Sequence, residues 1–121
     1  MRRPMHMKQT ILASGILLAC ASLGSPANAA SFDCTKPDLA ADEKAICDNR
    51  ALNDQDVKMV TTFDILTQLM AMGARDTLRE EQSQWLKKRQ ECNADVACIT
   101  SAYEERMKRL GEAFQSINRP L

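Results

Sequence analysis

Histidine is nearly missing from this chain. The one copy, His6, lies within the first ten residues. A helical protein without a histidine base has few routes to nucleophilic catalysis at neutral pH. A serine–lysine arrangement has no motif to support it here. Glycine is scarce too, at four copies with no cluster, which excludes a glycine-rich phosphate cradle. Aromatics make up 4% of the chain and β-branched runs are absent, so little favours a sheet. Lysine plus arginine and aspartate plus glutamate balance at 16 each, leaving no basic stripe for nucleic acid. The cysteine spacings C-x12-C and C-x5-C lack the close pairs typical of zinc sites. Together these absences point away from an enzyme, a cofactor or a metal centre. Adjacent acids at 42–43, 80–81 and 104–105 are expected on solvated helix faces.

The N-terminus is distinctive. Arg2, Arg3 and Lys8 precede a short apolar run from Ile11 to Leu23, and "SPANAA" follows with small residues at Ala27 and Ala29. Basic start, short apolar core and A-x-A site describe a secretory signal peptide; Met7 offers a second start. The run is too short for a membrane span. Cleavage is expected after Ala29, giving a leader over 1–29, a domain over 30–113 and a tail over 114–121. "LLAC", Leu17 to Cys20, also resembles a lipoprotein box, and lipidation of Cys20 is the alternative that would bring the protein to a membrane. Otherwise it is expected in the periplasm or secreted.

Removing the leader takes away three bases and no acid, so the mature chain is acidic. Residues 30–64 carry eight acids and four bases, whereas the remainder is nearly balanced, with eight acids and nine bases. Four cysteines stay: Cys34, Cys47, Cys92 and Cys98. An even number in an exported chain reads as two disulfides. Three pairings are open, and the local one, Cys34–Cys47 with Cys92–Cys98, is favoured because each loop is short.

The mature region reads as all-α, a small disulfide-stapled bundle of three to four helices. The first is expected over Leu39–Asp48, started by Pro37 and Asp38. The second spans Arg50–Met72, with Asn49 as cap, Gly73 as stop, and Leu52, Met59, Val60, Phe63, Leu66 and Met70 on one stripe. The third spans Asp76–Cys92, with Leu78, Gln82, Trp85, Arg89 and Cys92 at steps of four, three, four and three. The fourth spans Asp95–Ala113, with Ile99, Ala102, Tyr103, Arg106 and Leu110 in line.

Polar residues interrupt three stripes. Asp56, Gln82, Arg89 and Arg106 stand where leucine would pack more simply, and a buried charge is costly unless paired. Asp56 is expected to meet Arg89 or Arg106 across the bundle as a bidentate pair, with Gln82 completing the network. Trp85 is expected beside them, its indole N–H on an acceptor. The other view is that some of these residues line a partner-binding cleft.

Four segments carry a family likeness: "FDCTKPDLAADEKAIC" (32–47), "LNDQDVKMVTTF" (52–63), "REEQSQWLKKRQEC" (79–92) and "ACITSAYEERMKRL" (97–110). The order of Cys…Glu-x3-Cys, Leu-x3-Asp, Gln-x2-Trp-x3-Arg-x2-Cys and Cys-x4-Tyr-x2-Arg resembles the LprI-type lysozyme-inhibitor N-terminal domain family. Phe63 departs from it, since tyrosine is common there. The resemblance implies an exported, disulfide-bonded helical domain. It also implies a partner, c-type lysozyme, whose cleft would be blocked by steric and electrostatic contact. Such lysozymes are cationic, so Asp42, Glu43, Asp48, Asp54 and Asp64, with Asp56 if exposed, are the candidate steering residues. The segments 31–38, 71–76 and 93–97 are the candidate inserting loops. The competing expectation is a non-inhibitory envelope module that binds another protein.

Overall fold

The computed structural model describes residues 30–117; the leader, Cys20 and the last four residues lie outside it. Four α-helices form an all-α bundle: α1 (Ala41–Asp48), α2 (Arg50–Leu69), α3 (Met72–Glu91) and α4 (Val96–Gln115). None of them is long and apolar enough to cross a membrane.

The apolar stripes meet at the centre. Ile46, Leu52, Met59, Leu66, Leu78, Ile99, Tyr103 and Leu110 are all nearly inaccessible, and Trp85 closes one side. The most extensive helix–helix packing is between α2 and α4. The indole N–H of Trp85 donates to the Ala102 carbonyl at 2.8 Å, and its ring packs 5.3 Å from that of Tyr103.

The helix ends follow local chemistry. Asn49 Oδ1 accepts from Leu52 N at 3.2 Å to start α2, and Asp95 Oδ1 accepts from Cys98 N at 3.0 Å to start α4. Glu43 Oε2 accepts from Ala40 N at 3.0 Å, so α1 begins at Ala41, two residues later than Leu39. The break between α2 and α3 falls at Met70 and Ala71, both extended, rather than at Gly73. That glycine lies in the first turn of α3 without positive φ. Arg75 Nη2 donates to the Met70 carbonyl at 3.0 Å and closes the corner, so no left-handed stop is needed. Hence α3 starts a turn earlier than Asp76. Helix α4 also takes in Phe114 and Gln115, which the sequence assigns to the tail.

Both disulfides are local. Cys34–Cys47 ties the N-terminal segment to α1, and Cys92–Cys98 closes the α3–α4 corner, with Cα separations of 5.8 Å and 5.6 Å. Asn93 turns that corner with φ 51°, a left-handed conformation that asparagine tolerates better than most residues.

Candidate functional site

Two polar clusters run through the bundle. The first joins α1, α2, α3 and α4 around Arg89. Its Nε donates to Asp42 Oδ2 at 2.9 Å, and its Nη1 donates to the Tyr103 hydroxyl at 3.2 Å. That hydroxyl donates onward to Asp56 Oδ1 at 2.7 Å, and the same oxygen lies 3.6 Å from Arg89 Nη1. Asp56 Oδ2 accepts from Ser31 N at 2.6 Å. Phe32 and Trp85 flank the guanidinium at 5.8 Å and 5.6 Å. Asp42, Asp56, Arg89 and Tyr103 are each at most 3% exposed. Burial opposes the charge on Arg89, but Tyr103 and Asp42 outweigh it and hold its pKa above the ordinary value. Burial pushes the Tyr103 phenol far above its usual 10.0; Arg89 pulls it down and Asp56 adds to the rise.

The second cluster lies between α3 and α4. Arg106 Nε donates to Gln82 Oε1 at 2.8 Å, and its Nη2 reaches the Leu78 carbonyl at 3.3 Å. Gln82 Nε2 turns to Met59 Sδ at 3.3 Å. Glu81 bridges Arg106 at 3.5 Å and Arg109 at 2.6 Å. Burial lowers the pKa of Arg106 despite Glu81, whereas its hydrogen bond to Glu81 raises that of the more exposed Arg109.

This arrangement differs from the sequence expectation in three ways. Asp56 does meet Arg89, one of its two expected partners, but the contact is not bidentate because Tyr103 occupies part of it. Gln82 belongs to the Arg106 cluster and does not complete the Asp56 network. Asp42, expected as an exposed steering residue, is 1% exposed and bound to Arg89. Its burial has a sequence signal: Asp42 precedes Ile46 by one helical turn and shares its face. Tyr103 is the network member that sequence reasoning placed only on the apolar stripe.

The exposed surface follows from this. Asp42 and Asp56 leave the acidic half for the core, and Arg89 and Arg106 leave the other. Setting those four aside leaves six acids and four bases in residues 30–64 and eight acids and seven bases in 65–121. The charge asymmetry of the sequence is therefore nearly gone from the surface. Of the remaining candidates, Glu43 caps α1 and is partly buried, Asp48 pairs with Lys44 at 3.1 Å, and Asp54 and Asp64 are exposed on α2.

Among the three candidate loops, only 31–38 is irregular throughout. Residues 72–76 are the first turns of α3, and Val96 and Ala97 open α4. The 31–38 segment is well anchored. Asp33 Oδ1 accepts from Thr35 N at 2.9 Å and Thr35 Oγ1 at 2.6 Å, and these bonds hold its carboxyl below the ordinary pKa. Residues Thr35, Lys36, Pro37 and Asp38 are exposed beyond it. An apolar groove of about 270 Å³ lies elsewhere, between α2 and α4, lined by Thr62, Ile65, Leu66, Met107, Leu110, Gly111 and Phe114. Among the described residues no group of three or more His, Cys, Asp or Glu is placed to hold a metal ion. Compared with known proteins, the chain matches no family model, no curated protein and no solved structure.

Proposed function

We propose that this protein is an exported binding module that inhibits a c-type lysozyme by placing the 33–38 loop in its glycan cleft. The observation that carries this is the anchoring of that loop. Cys34 is tied to Cys47, Ser31 N is bonded to Asp56, and Phe32 lies against Arg89, while the tip stays exposed. A loop ordered before contact loses little entropy on binding. A cleft that hydrolyses glycan with two carboxylates is blocked by any rigid filler that excludes the sugar. The choice of lysozyme rests on the resemblance to the LprI-type family, and the even surface charge puts the weight on shape rather than on steering.

The α2–α4 groove favours a second reading, a non-inhibitory envelope module. Ile65 and Phe114, which line the groove, are 53% and 43% exposed, and exposed apolar patches mark protein contacts. One pair of variants separates the two. Under the inhibitor reading, Asp33→Ala with Asp38→Ala weakens lysozyme binding at least about tenfold, about 1.4 kcal/mol, while Ile65→Glu leaves it unchanged. Loss of binding on Ile65→Glu alone, measured by calorimetry, would shift the interface to the groove.

A further inference from the structure

The Arg89 cluster is not neutral. It holds two buried carboxylates, Asp42 and Asp56, against one guanidinium. Among the described residues, Arg89 is the one cation within 4 Å of either. Tyr103 stays uncharged at neutral pH and supplies a hydroxyl, not a charge. An uncompensated buried carboxylate is among the costliest features a small domain can carry.

The place where a second positive charge would act is marked by Ser31, whose backbone N–H already donates to Asp56 Oδ2 at 2.6 Å. One residue before it, Ala30 is 9% exposed and belongs to the core cluster. Ala30 is also the first residue left by cleavage after Ala29. Its nitrogen lies within one residue, about 3.6 Å, of Ser31 N and hence at most about 6 Å from Asp56 Oδ2, at the outer edge of the range over which an opposite charge acts on a carboxylate.

We infer that leader removal creates the missing member of this cluster, with the new α-ammonium of Ala30 serving as counter-ion to Asp56 and locking the N-terminal segment onto the bundle. Hydrolysis of the Ala29–Ala30 bond by a signal peptidase consumes one water. It leaves a carboxylate on Ala29 and an amine on Ala30, which takes up a proton from solvent. Before cleavage the same nitrogen is a neutral amide. The finished fold is thereby coupled to processing, and because Ala30 is buried, cleavage precedes docking. The Cys34–Cys47 bond then keeps the docked segment close. This inference rests on the export reading above.

The test compares the mature chain beginning at Ala30 with the same chain acetylated at its α-amine, each with native Asp56 and with Asp56→Asn. Acetylation is expected to lower the melting temperature of the native-Asp56 chain by about 5 °C or more and to leave the Asp56→Asn chain unchanged. Equal melting of the free and acetylated chains would overturn the inference, as would equal shifts in both backgrounds. Reaction of the α-amine with an acylating reagent gives a readout that does not depend on the variant folding. In the folded mature chain it should be slowed at least tenfold relative to the chain in urea, and matching rates would also overturn the inference. The intact mass of the exported protein separates the two ideas. A chain that starts anywhere other than Ala30 overturns both the processing site and the counter-ion, whereas an Ala30 start with no acetylation effect overturns the counter-ion alone.

Discussion

Arg89 is the residue on which most of the interior depends. It reaches Asp42 on α1, Asp56 on α2 and Tyr103 on α4 from its place on α3, so removing any partner leaves a buried charge or hydroxyl unsatisfied. Breaking one side of such a pair typically costs about 3–5 kcal/mol. Asp56→Ala is expected to destabilise by about that much, whereas Asp54→Ala, two residues away on the opposite, exposed face of α2, should stay within about 0.5 kcal/mol. Urea unfolding at pH 7 distinguishes them, and equal midpoints would contradict the buried network. Tyr103 predicts a pH dependence of known sign. Its folded pKa is raised above the unfolded value of 10.0. Its contribution is therefore fully present below pH 10 and is lost as pH rises, because the unfolded chain gives up its phenol proton first. Tyr103→Phe should flatten the fall in stability above pH 10, and a parallel slope in both proteins would assign that fall to other groups.

At the scale of the elements, the two disulfides have different consequences although their loop entropies are similar. Closing loops of separation 13 and 6 contributes about 3 and about 2.4 kcal/mol by chain entropy. Only Cys34–Cys47 holds the 33–38 loop. Under the inhibitor proposal, replacing that pair with serine should abolish lysozyme binding at temperatures where the bundle is still folded, while replacing Cys92 and Cys98 should lower the melting temperature and spare binding. Gly111 gives a cleaner element-level test. It lies inside α4, and a Cβ added there meets nothing within 4 Å. Glycine costs a helix interior about 0.5–1 kcal/mol relative to alanine, so Gly111→Ala should raise stability by that amount in a thermal melt. Destabilisation would mean that the α2–α4 groove is tighter than its geometry indicates.

For the molecule as a whole, legibility followed the strength of periodic signals. Helices α2, α3 and α4 were readable because each repeats apolar residues over several turns, and the local disulfides matched the structure because the spacing suits a corner. The α2–α3 break does not fall at Gly73, because a glycine marks a stop only when the chain needs a left-handed residue, and here an extended Met70 and the Arg75 side chain make the corner. The burial of Asp42 is faint in the sequence because α1 is eight residues long and offers a single fully buried apolar neighbour, Ile46, to reveal its face. The pairing of charges across the interior is only partly legible: the stripes narrow the partner of Asp56 to Arg89 or Arg106. Sequence marks which polar residues stand on core stripes, but only packing decides that Asp56 meets Arg89 while Arg106 meets Gln82 and Glu81. That partition also removed the surface charge bias on which a steering argument depended. What the inhibitor proposal requires is the anchored 33–38 loop. The most direct test is calorimetric titration of the oxidised mature domain into a c-type lysozyme, with a cell-wall clearing assay alongside. Saturable one-to-one binding with slower clearing, both weakened at least about tenfold by Asp33→Ala with Asp38→Ala, is the predicted result; no heat of binding at tens of micromolar and unchanged clearing would contradict it.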